Sequence, residues 1–400
     1  MRIALLSGEY PPQPGGVGDY TRQLGLALAA RGHAVAALTI QAGRFILYDL
    51  AAADEHGPAR DEQIVIWPTR SAAGRAAPLD WSPRCWPAVI SALGRYQPDW
   101  LHIQYQTGAY AMRPGVNLLP WRLRRLPGGP LVAVTFHDLL EPYLLPKAGP
   151  LRRWVNRRLA RDADAVVATN AADAAGLRAL GASPVAIPIG SNISVAPPPG
   201  YQRASWRAAL GVGDGELLVA YFGLLSPSKG VDLLIEGLAG LERPWRLLLI
   251  GGAATAPQDI AYAAATRAAI ERRGLAGRVI ATGHVDEAAV SAHLLAADVA
   301  ALPFRDGASL RRGSLLAALA HGCPLLTTAS ADPEAAALLR DGDTALLAPQ
   351  GDAGALRAGL ARLGAEPALR ARLAAAGRAL AARFSWEQIA EQHERLYGRG

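Results

Sequence analysis

The sequence predicts an α/β protein of two doubly wound domains facing across a cleft. Three observations carry that expectation. Short apolar runs alternate with amphipathic segments along most of the chain. Those runs are almost continuously hydrophobic, as parallel strands buried on both faces are. A proline-rich break interrupts the alternation near the middle, after which it restarts. At 400 residues, with 51% hydrophobic and 19% charged, the chain has material for two packed cores and does not read as disordered.

Taken in order, "RIALLS" (2–7), "AVAALTI" (34–40), "QIVIWP" (63–68), "DWLHIQY" (99–105), "LVAVTFHD" (131–138) and "ADAVVATN" (163–170) read as strands of the first sheet. Between the first two, "DYTRQLGLALAARGH" places Tyr20, Leu24, Ala27 and Leu28 on one helical face. Residues 41–98 are less regular and are expected to form an insertion plus a helix. "IPIGSNISVAPPPGYQ" (187–202), with four prolines and two glycines, reads as a linker. The second half then runs strand "LLVAYFGLL", helix "GVDLLIEGLAGL", strand "RLLLIGG", a long helix at 259–273, strand "RVIATGH", helix "EAAVSAHLLAA" and strand "VAALPF". A further helix follows, then strands "PLLTTA" and "TALLAP", and "SWEQ" at 385–388 reads as a capping box opening a last helix.

The net charge of +7 favours anionic partners, although arginine standing in for lysine accounts for part of the pI. Cys85 and Cys323 are the only cysteines and have no histidines at ligand spacing, so neither a disulfide framework nor a structural zinc is expected. "MRIALLSGEYPP" holds too short an apolar run for a signal peptide, and no stretch is long enough to span a bilayer. These features predict a cytoplasmic protein, and they are compatible with a peripheral contact at the inner face of the membrane.

Several motifs bear on chemistry. "GGVGDY" (15–20) follows the first strand and opens the first helix, so bare backbone at Gly15, Gly16 and Gly18 suits close approach to a phosphate; an ordinary tight turn is the alternative. It is not the dinucleotide pattern G-x-G-x-x-G. "SPSKGVDLL" (226–234) is the matching loop of the second half, where Lys229 stands just before a helix, unfavourably for the dipole unless an anion is bound. His137 and Asp138 end a buried strand, at the edge where such sheets bind ligands. A histidine there is either an acid, base or hydrogen-bond donor to substrate, or a satisfied structural group. His102, Gln104 and Gln106 sit near the end of the neighbouring strand and point to the same edge. Asp162 and Asp164 form a D-x-D at a helix-to-strand junction and read as structural, as does the "DGD" turn at 341–343.

"DGASLRRGSLLAALAHGCP" (306–324) predicts a helix beginning near Ser309, with Ser309 as its cap and Gly322 and Pro324 ending it. Arg311 and Arg312 would then lie in its first turn, where the backbone is already positive. "GPLRRWVNRRLARD" (149–162) arrays Arg152, Arg153, Arg157, Arg158 and Arg161 around Trp154, and "WRLRR" (121–125) adds to it. This reads as a contact for an anionic membrane surface or as a solvated helix face. No nucleic-acid recognition motif accompanies the charge.

In this order the pieces resemble glycosyltransferase family 4, the retaining, metal-independent enzymes of the GT-B fold with two Rossmann-like domains. The resemblance rests on "GGVGDYT…LALAARGHAV", "VTFHD", "IPIGSNI", "GLLSPSKGVDLL", "LLLIGG", "GHVDEAAVSAHLLAADVAALPF" and "LAHGCPLLTTAS". It implies an N-terminal acceptor-side domain (1–190), a proline-rich linker (191–204) and a C-terminal donor domain (205–384). The last helix (385–400) is expected to return to the first domain. It further implies a nucleotide-sugar donor, a glycan, lipid-linked or small-molecule acceptor, and no metal or other cofactor. His137 would sit beside the transferred sugar, and the amides of Gly15 and Gly16 together with Lys229 would meet the donor diphosphate.

Three positions depart from the family pattern. Leu224 stands where an arginine is usual, five residues before the lysine, and Ser309 and Ala317 stand where two glutamates are usual. The expectation is therefore that Arg311 or Arg312 supplies the charge missing at Leu224, pairing bidentately with diphosphate oxygens. Ser309, Leu310, Arg311 and Arg312 join the donor-binding set on this reading. The absent glutamates leave a non-catalytic nucleotide-sugar-binding or scaffold protein as the alternative.

Overall fold

The structure is a computed structural model and describes residues 1–13, 15–51, 60–67, 78–140, 149–251 and 257–398. The chain divides into two compact units, residues 1–190 with 386–400, and residues 191–385.

The first unit contains β1 (Arg2–Ser7), α1 (Gly16–Ala30), β2 (Ala34–Gln41), β3 (Arg44–Ala51), β4 (Arg60–Trp67), α2 (Trp86–Tyr96), β5 (Trp100–Tyr105), α3 (Leu119–Leu123), β6 (Leu131–Phe136), α4 (Gly149–Asp162), β7 (Ala165–Ala168), α5 (Ala171–Ala179) and β8 (Val185–Ala186). Its eight strands lie in the order β4-β3-β2-β1-β5-β6-β7-β8. From β2 through β8 the neighbours run parallel, while β3 and β4 are antiparallel additions at one edge. The sequence reading of 41–98 as an insertion plus a helix missed β3. Gln41 and Arg44 pair across a two-residue turn in which Ala42 and Gly43 both have positive φ, 48° and 72°. That is the turn that suits a right-twisted hairpin, made here with alanine where asparagine is the usual signal.

Alternate residues of each strand enter two separate cores. Ala4, Leu6, Ile103 and Val134 pack with Val89, Leu119, Leu159 and Leu177 on one face. Ile3, Leu5 and Ala133 pack on the other with Leu24 and Leu28 of α1 and with Ile389 and Leu396. The last two belong to the final helix of the chain, so the C-terminus completes the first unit's core.

The second unit begins with residues 191–202, which carry no regular element. It continues with α6 (Arg203–Ala209), β9 (Leu217–Phe222), α7 (Val231–Ala239), β10 (Trp245–Ile250), α8 (Pro257–Arg272), β11 (Val279–Gly283), α9 (Glu287–Ala296), β12 (Val299–Leu302), α10 (Gly313–Ala320), β13 (Leu325–Thr328), α11 (Pro333–Leu338), β14 (Leu346–Ala348), α12 (Ala353–Ala365) and α13 (Pro367–Ala381). The six strands, ordered β11-β10-β9-β12-β13-β14, are all parallel. The order reverses between β10 and β12 around β9, and at such a switch point the loops after the strands diverge and leave a ligand crevice.

The final helix, α14 (Trp386–Tyr397), lies against α1. Glu394 on α14 joins Arg31 at 2.5 Å and the Nε2 of His33 at 2.7 Å. Tyr397 reaches further in, with its hydroxyl 2.6 Å from Nδ1 of the fully buried His102. Nε2 of the same ring lies 2.8 Å from Thr135 Oγ1. One neutral imidazole serves both bonds, one nitrogen donating and the other accepting. Burial, with the nearby His393 and His137, pushes the pKa of His102 well below the ordinary histidine value. His102 is thus a structural group that ties α14 to β5, and it does not add to the edge site the sequence suggested.

Candidate active site

In the first unit, the carboxyl edge of the parallel strands presents His137 directly after β6. Its backbone N–H donates to Tyr105 O at 2.8 Å, prolonging the β5–β6 ladder by one bond. The half-buried ring meets Tyr20 of α1 edge-on, with centroids 4.7 Å apart, and its Nε2 lies 3.1 Å from Gln104 Oε1. The neighbouring Asp138 has a local task. Its Oδ1 accepts from the backbone and hydroxyl of Thr107, both at 3.3 Å, and from the Leu140 N–H at 3.2 Å, which folds the loop past the strand ends.

The glycine loop opens α1 as expected, with Gly15 at the cap position and Gly16 exposed. Its helix start already has an anion. The Glu9 carboxylate accepts the N–H groups of Val17 at 2.9 Å and Gly18 at 3.3 Å. A Cβ on Gly15 would come within 2.0 Å of the Glu9 carboxyl carbon, so the missing side chain makes room for this internal contact. The Gly-rich loop, which the sequence offers as a phosphate contact or an ordinary tight turn, thus has Glu9 as an internal acceptor.

The second unit gathers the cations. Lys229 ends a short 3-10 turn, and Gly230 follows with φ 67° as the cap of α7. A Cβ at Gly230 would come within 2.2 Å of Pro303 O, so this close approach of two loops needs glycine. Arg305 N–H donates to Ser228 O at 2.9 Å and clamps the same two loops. Between them lies Phe304, fully buried, with Lys229 Nζ 5.2 Å and Arg312 Cζ 4.1 Å from its ring centroid. Both contacts are cation–π in geometry. Burial first, then repulsion by Arg312, pull the Lys229 pKa down to about 8 from 10.5. Arg312 pairs with Asp306 at 2.5 Å, yet its Nε is buried without a hydrogen-bond acceptor among the described residues.

The helix carrying the two arginines starts later than the sequence suggested. Residues 309–312 form a turn, with Arg312 N–H donating to Ser309 O at 3.1 Å, and α10 begins at Gly313 with Arg312 at its cap position. Ser309 therefore does not cap the helix. Its Oγ instead accepts the Arg311 N–H within the turn, at 3.3 Å. The two arginines precede the helix, so no charge sits inside its first turn. The turn also separates them, leaving Arg311 exposed and drawing Arg312 in to Phe304. Leu310 is buried, only 8% exposed, which leaves its side chain among apolar neighbours. Tyr221 donates to Leu224 O at 2.9 Å, so the loop that lacks the usual arginine is nevertheless pinned, with Leu224 exposed.

In the same unit, a cavity of about 220 Å³ opens at the carboxyl ends of β9, β10 and β11. Backbone at Gly223, Gly251 and Gly283 lines one side, with Ile260, Ala263 and Arg267 of α8 on the other. Among the described residues its lining is apolar apart from backbone and the Arg267 guanidinium, which suits a planar polar ring. A larger groove of about 450 Å³ between α2 and α3 lies at the amino ends of β5 and β6, away from His137. Among the described residues no cluster of His, Cys, Asp or Glu is arranged to hold a metal ion.

Two family models match the chain. The family described as glycosyl transferase 4-like domain matches residues 15–190, and that described as glycosyl transferases group 1 matches residues 216–366. The chain belongs to glycosyltransferase family 4. It is accordingly an enzyme, a glycosyltransferase of GT-B fold. Phosphatidyl-myo-inositol mannosyltransferase of Mycobacterium leprae is 29% identical over 99% of this chain and 96% of its own length. D-inositol 3-phosphate glycosyltransferase of Xylanimonas cellulosilytica is 28% identical over 51% of this chain and 48% of its own. Among solved structures, sucrose-phosphate synthase of Thermosynechococcus elongatus superposes with a TM-score of 0.70 at 24% identity, covering 100% of this chain and 98% of that one. HepE of Anabaena, in complex with UDP, superposes at 0.71 and 20%, with both chains covered completely. Within this family 4 glycosyltransferase, the position of one usual glutamate is Ala317, buried inside α10, and the other is Ser309 in the turn.

Proposed function

We propose that this glycosyltransferase takes a nucleotide-sugar and moves its sugar to an acceptor hydroxyl with retention at the anomeric carbon and without a metal ion. The observation that carries the reading is the pair Lys229 and Arg312, both held against Phe304. Two cations held at one aromatic ring repel one another, as the lowered Lys229 pKa reflects, and a bound anion offsets that cost. A phosphate about 4 Å from one cation gains roughly 4 kcal/mol at a surface-like dielectric, whereas a helix terminus adds about 0.3–1 kcal/mol. The cations, rather than the helix start, therefore dominate the grip on a diphosphate. Arg312 takes the part of the arginine absent at Leu224, and the cavity at Gly223, Gly251 and Arg267 takes the nucleoside.

During transfer the acceptor oxygen bonds to the anomeric carbon, the bond to the diphosphate breaks, and the acceptor's proton passes to a diphosphate oxygen. Negative charge grows on the departing group, and Lys229 and Arg312 stabilise it where a metal would otherwise act. His137 holds the transferred sugar. Relatives named for phosphatidyl-myo-inositol and D-inositol 3-phosphate support a polyol acceptor, free or carried on lipid.

A lipid acceptor has a second support in α4. Trp154 is 46% exposed there, beside exposed Arg153, Arg157 and Arg161 on the same side of the helix. Near α4, Arg125 stacks on Trp121 of α3 at 3.9 Å. This face suits an anionic membrane surface.

Calorimetric titration with nucleoside diphosphate in the presence of a chelator tests the donor site. Arg312→Ala is expected to weaken binding about 10- to 100-fold, in line with loss of a charge-assisted pair, and Arg311→Ala to change it less than threefold. Equal effects of the two substitutions would remove Arg312 from the assigned role.

A further inference from the structure

The face of the first sheet covered by α1 and α14 carries an unusual row of polar side chains at its carboxyl edge. Thr39 on β2, Ser7 on β1, Gln104 on β5 and Thr135 on β6 are all fully buried. Ser7 is the register partner of Gln104, and Gln104 of Thr135, so they stand side by side across the strands. Thr135 is engaged by His102. Thr39 Oγ1, Ser7 Oγ and Gln104 Nε2 have no hydrogen-bond partner among the described residues, and neither has the hydroxyl of the buried Tyr20 that faces them from α1. Gln104 Oε1 accepts from His137 Nε2 at 3.1 Å.

A buried glutamine with an unsatisfied NH2 group costs more stability than one neutral hydrogen bond returns. We infer that Gln104 is a positioning residue: it accepts the Nε2 proton of His137 and, with the Tyr20 ring set edge-on, fixes the rotation and tautomer of that imidazole. The inference rests on the reading of His137 as the residue that holds the transferred sugar. An uncharged acceptor suits the task. It orients the ring without favouring imidazolium, whereas a carboxylate in the same place would pull a second proton onto it. Among the described residues, Tyr20 from α1, His102 from β5 and Asp138 in the loop after β6 are titratable groups near that ring.

The test combines ring-nitrogen NMR of the full chain labelled with 15N-histidine, His137 being assigned by His137→Asn, with turnover measurements. In the wild type a single Nε2–H tautomer is expected. In Gln104→Leu a mixture of tautomers is expected, with kcat reduced about tenfold and nucleoside diphosphate affinity within twofold of wild type. In Gln104→Glu the acceptor is retained, kcat recovers at alkaline pH, and the His137 titration midpoint rises by about one unit or more. An unchanged tautomer and unchanged kcat in Gln104→Leu would overturn the inference. If that variant does not fold, an unshifted His137 midpoint in Gln104→Glu does so instead. Full activity of His137→Ala defeats only the sugar-holding reading, because the nitrogen spectra report the Gln104 contact independently of turnover.

Discussion

Lys229 is held protonated only marginally, and that makes its charge a reporter of whatever binds beside it. Burial and Arg312 bring its pKa down to about 8, whereas in an unfolded chain it would lose its proton near 10.5. The free protein therefore presents two cations below pH 8 and one above it. A bound diphosphate favours the charged lysine, so affinity is full below pH 8 and falls as the pH rises through it, by at most about tenfold per unit. Titration between pH 7 and 9.5 is expected to show this fall in the wild type and to lose it in Lys229→Arg, which stays charged. A flat profile in the wild type would contradict this coupling between the Lys229 charge and anion binding. The position of this lysine was legible in the sequence because it stands at a strand-to-helix loop in the second half. The difference between Arg311 and Arg312 was not legible: they are adjacent, and only the turn at 309–312 turns one to solvent and the other to Phe304. Nor was Glu9 as the internal acceptor of α1, since its partners lie eight and nine residues away with a proline-rich loop between.

At the scale of elements, strands buried on both faces read clearly, because their hydrophobic runs need no partner to be recognised. The hairpin β2–β3 did not, since Ala42 adopts the positive φ that asparagine or glycine usually marks. The start of α10 was misplaced for a related reason: Ser309 makes a side-chain bond to backbone, but within a turn. The helix α4 was expected from its arginines, and the structure places Arg157 and Arg161 one turn apart on its exposed side beside Trp154. If this face meets an anionic membrane, each arginine contributes about 1 kcal/mol near the surface. Removing two of them, as in Arg157→Glu with Arg161→Glu, is expected to lower co-sedimentation with vesicles containing anionic lipid about 30-fold or more at low salt. Wild-type binding is expected to weaken as salt rises. Vesicle binding that is absent, or that is indifferent to these two residues, would leave α4 a solvated face.

At the scale of the whole chain, the sequence carried the two-part architecture and its proline-rich junction. The helix that the resemblance expected to return to the first domain is α14, which packs into the core of the first unit through Ile389, Leu396 and Tyr397. Such a return couples the terminus to β5 through His102, which explains why a histidine near the site edge is spent on structure. In the proposed reading, His137 with Gln104 belongs to the first unit and the cations Lys229 and Arg312 to the second. The measurement that bears most directly on this account is a transfer assay on the full chain with a panel of nucleotide-sugars and inositol-type acceptors, run in EDTA and read by NMR of the product's anomeric proton. The account predicts a glycoside with the donor's anomeric configuration, formed at a rate the chelator does not change. An inverted product, or activity abolished by EDTA and restored by a divalent ion, would contradict it.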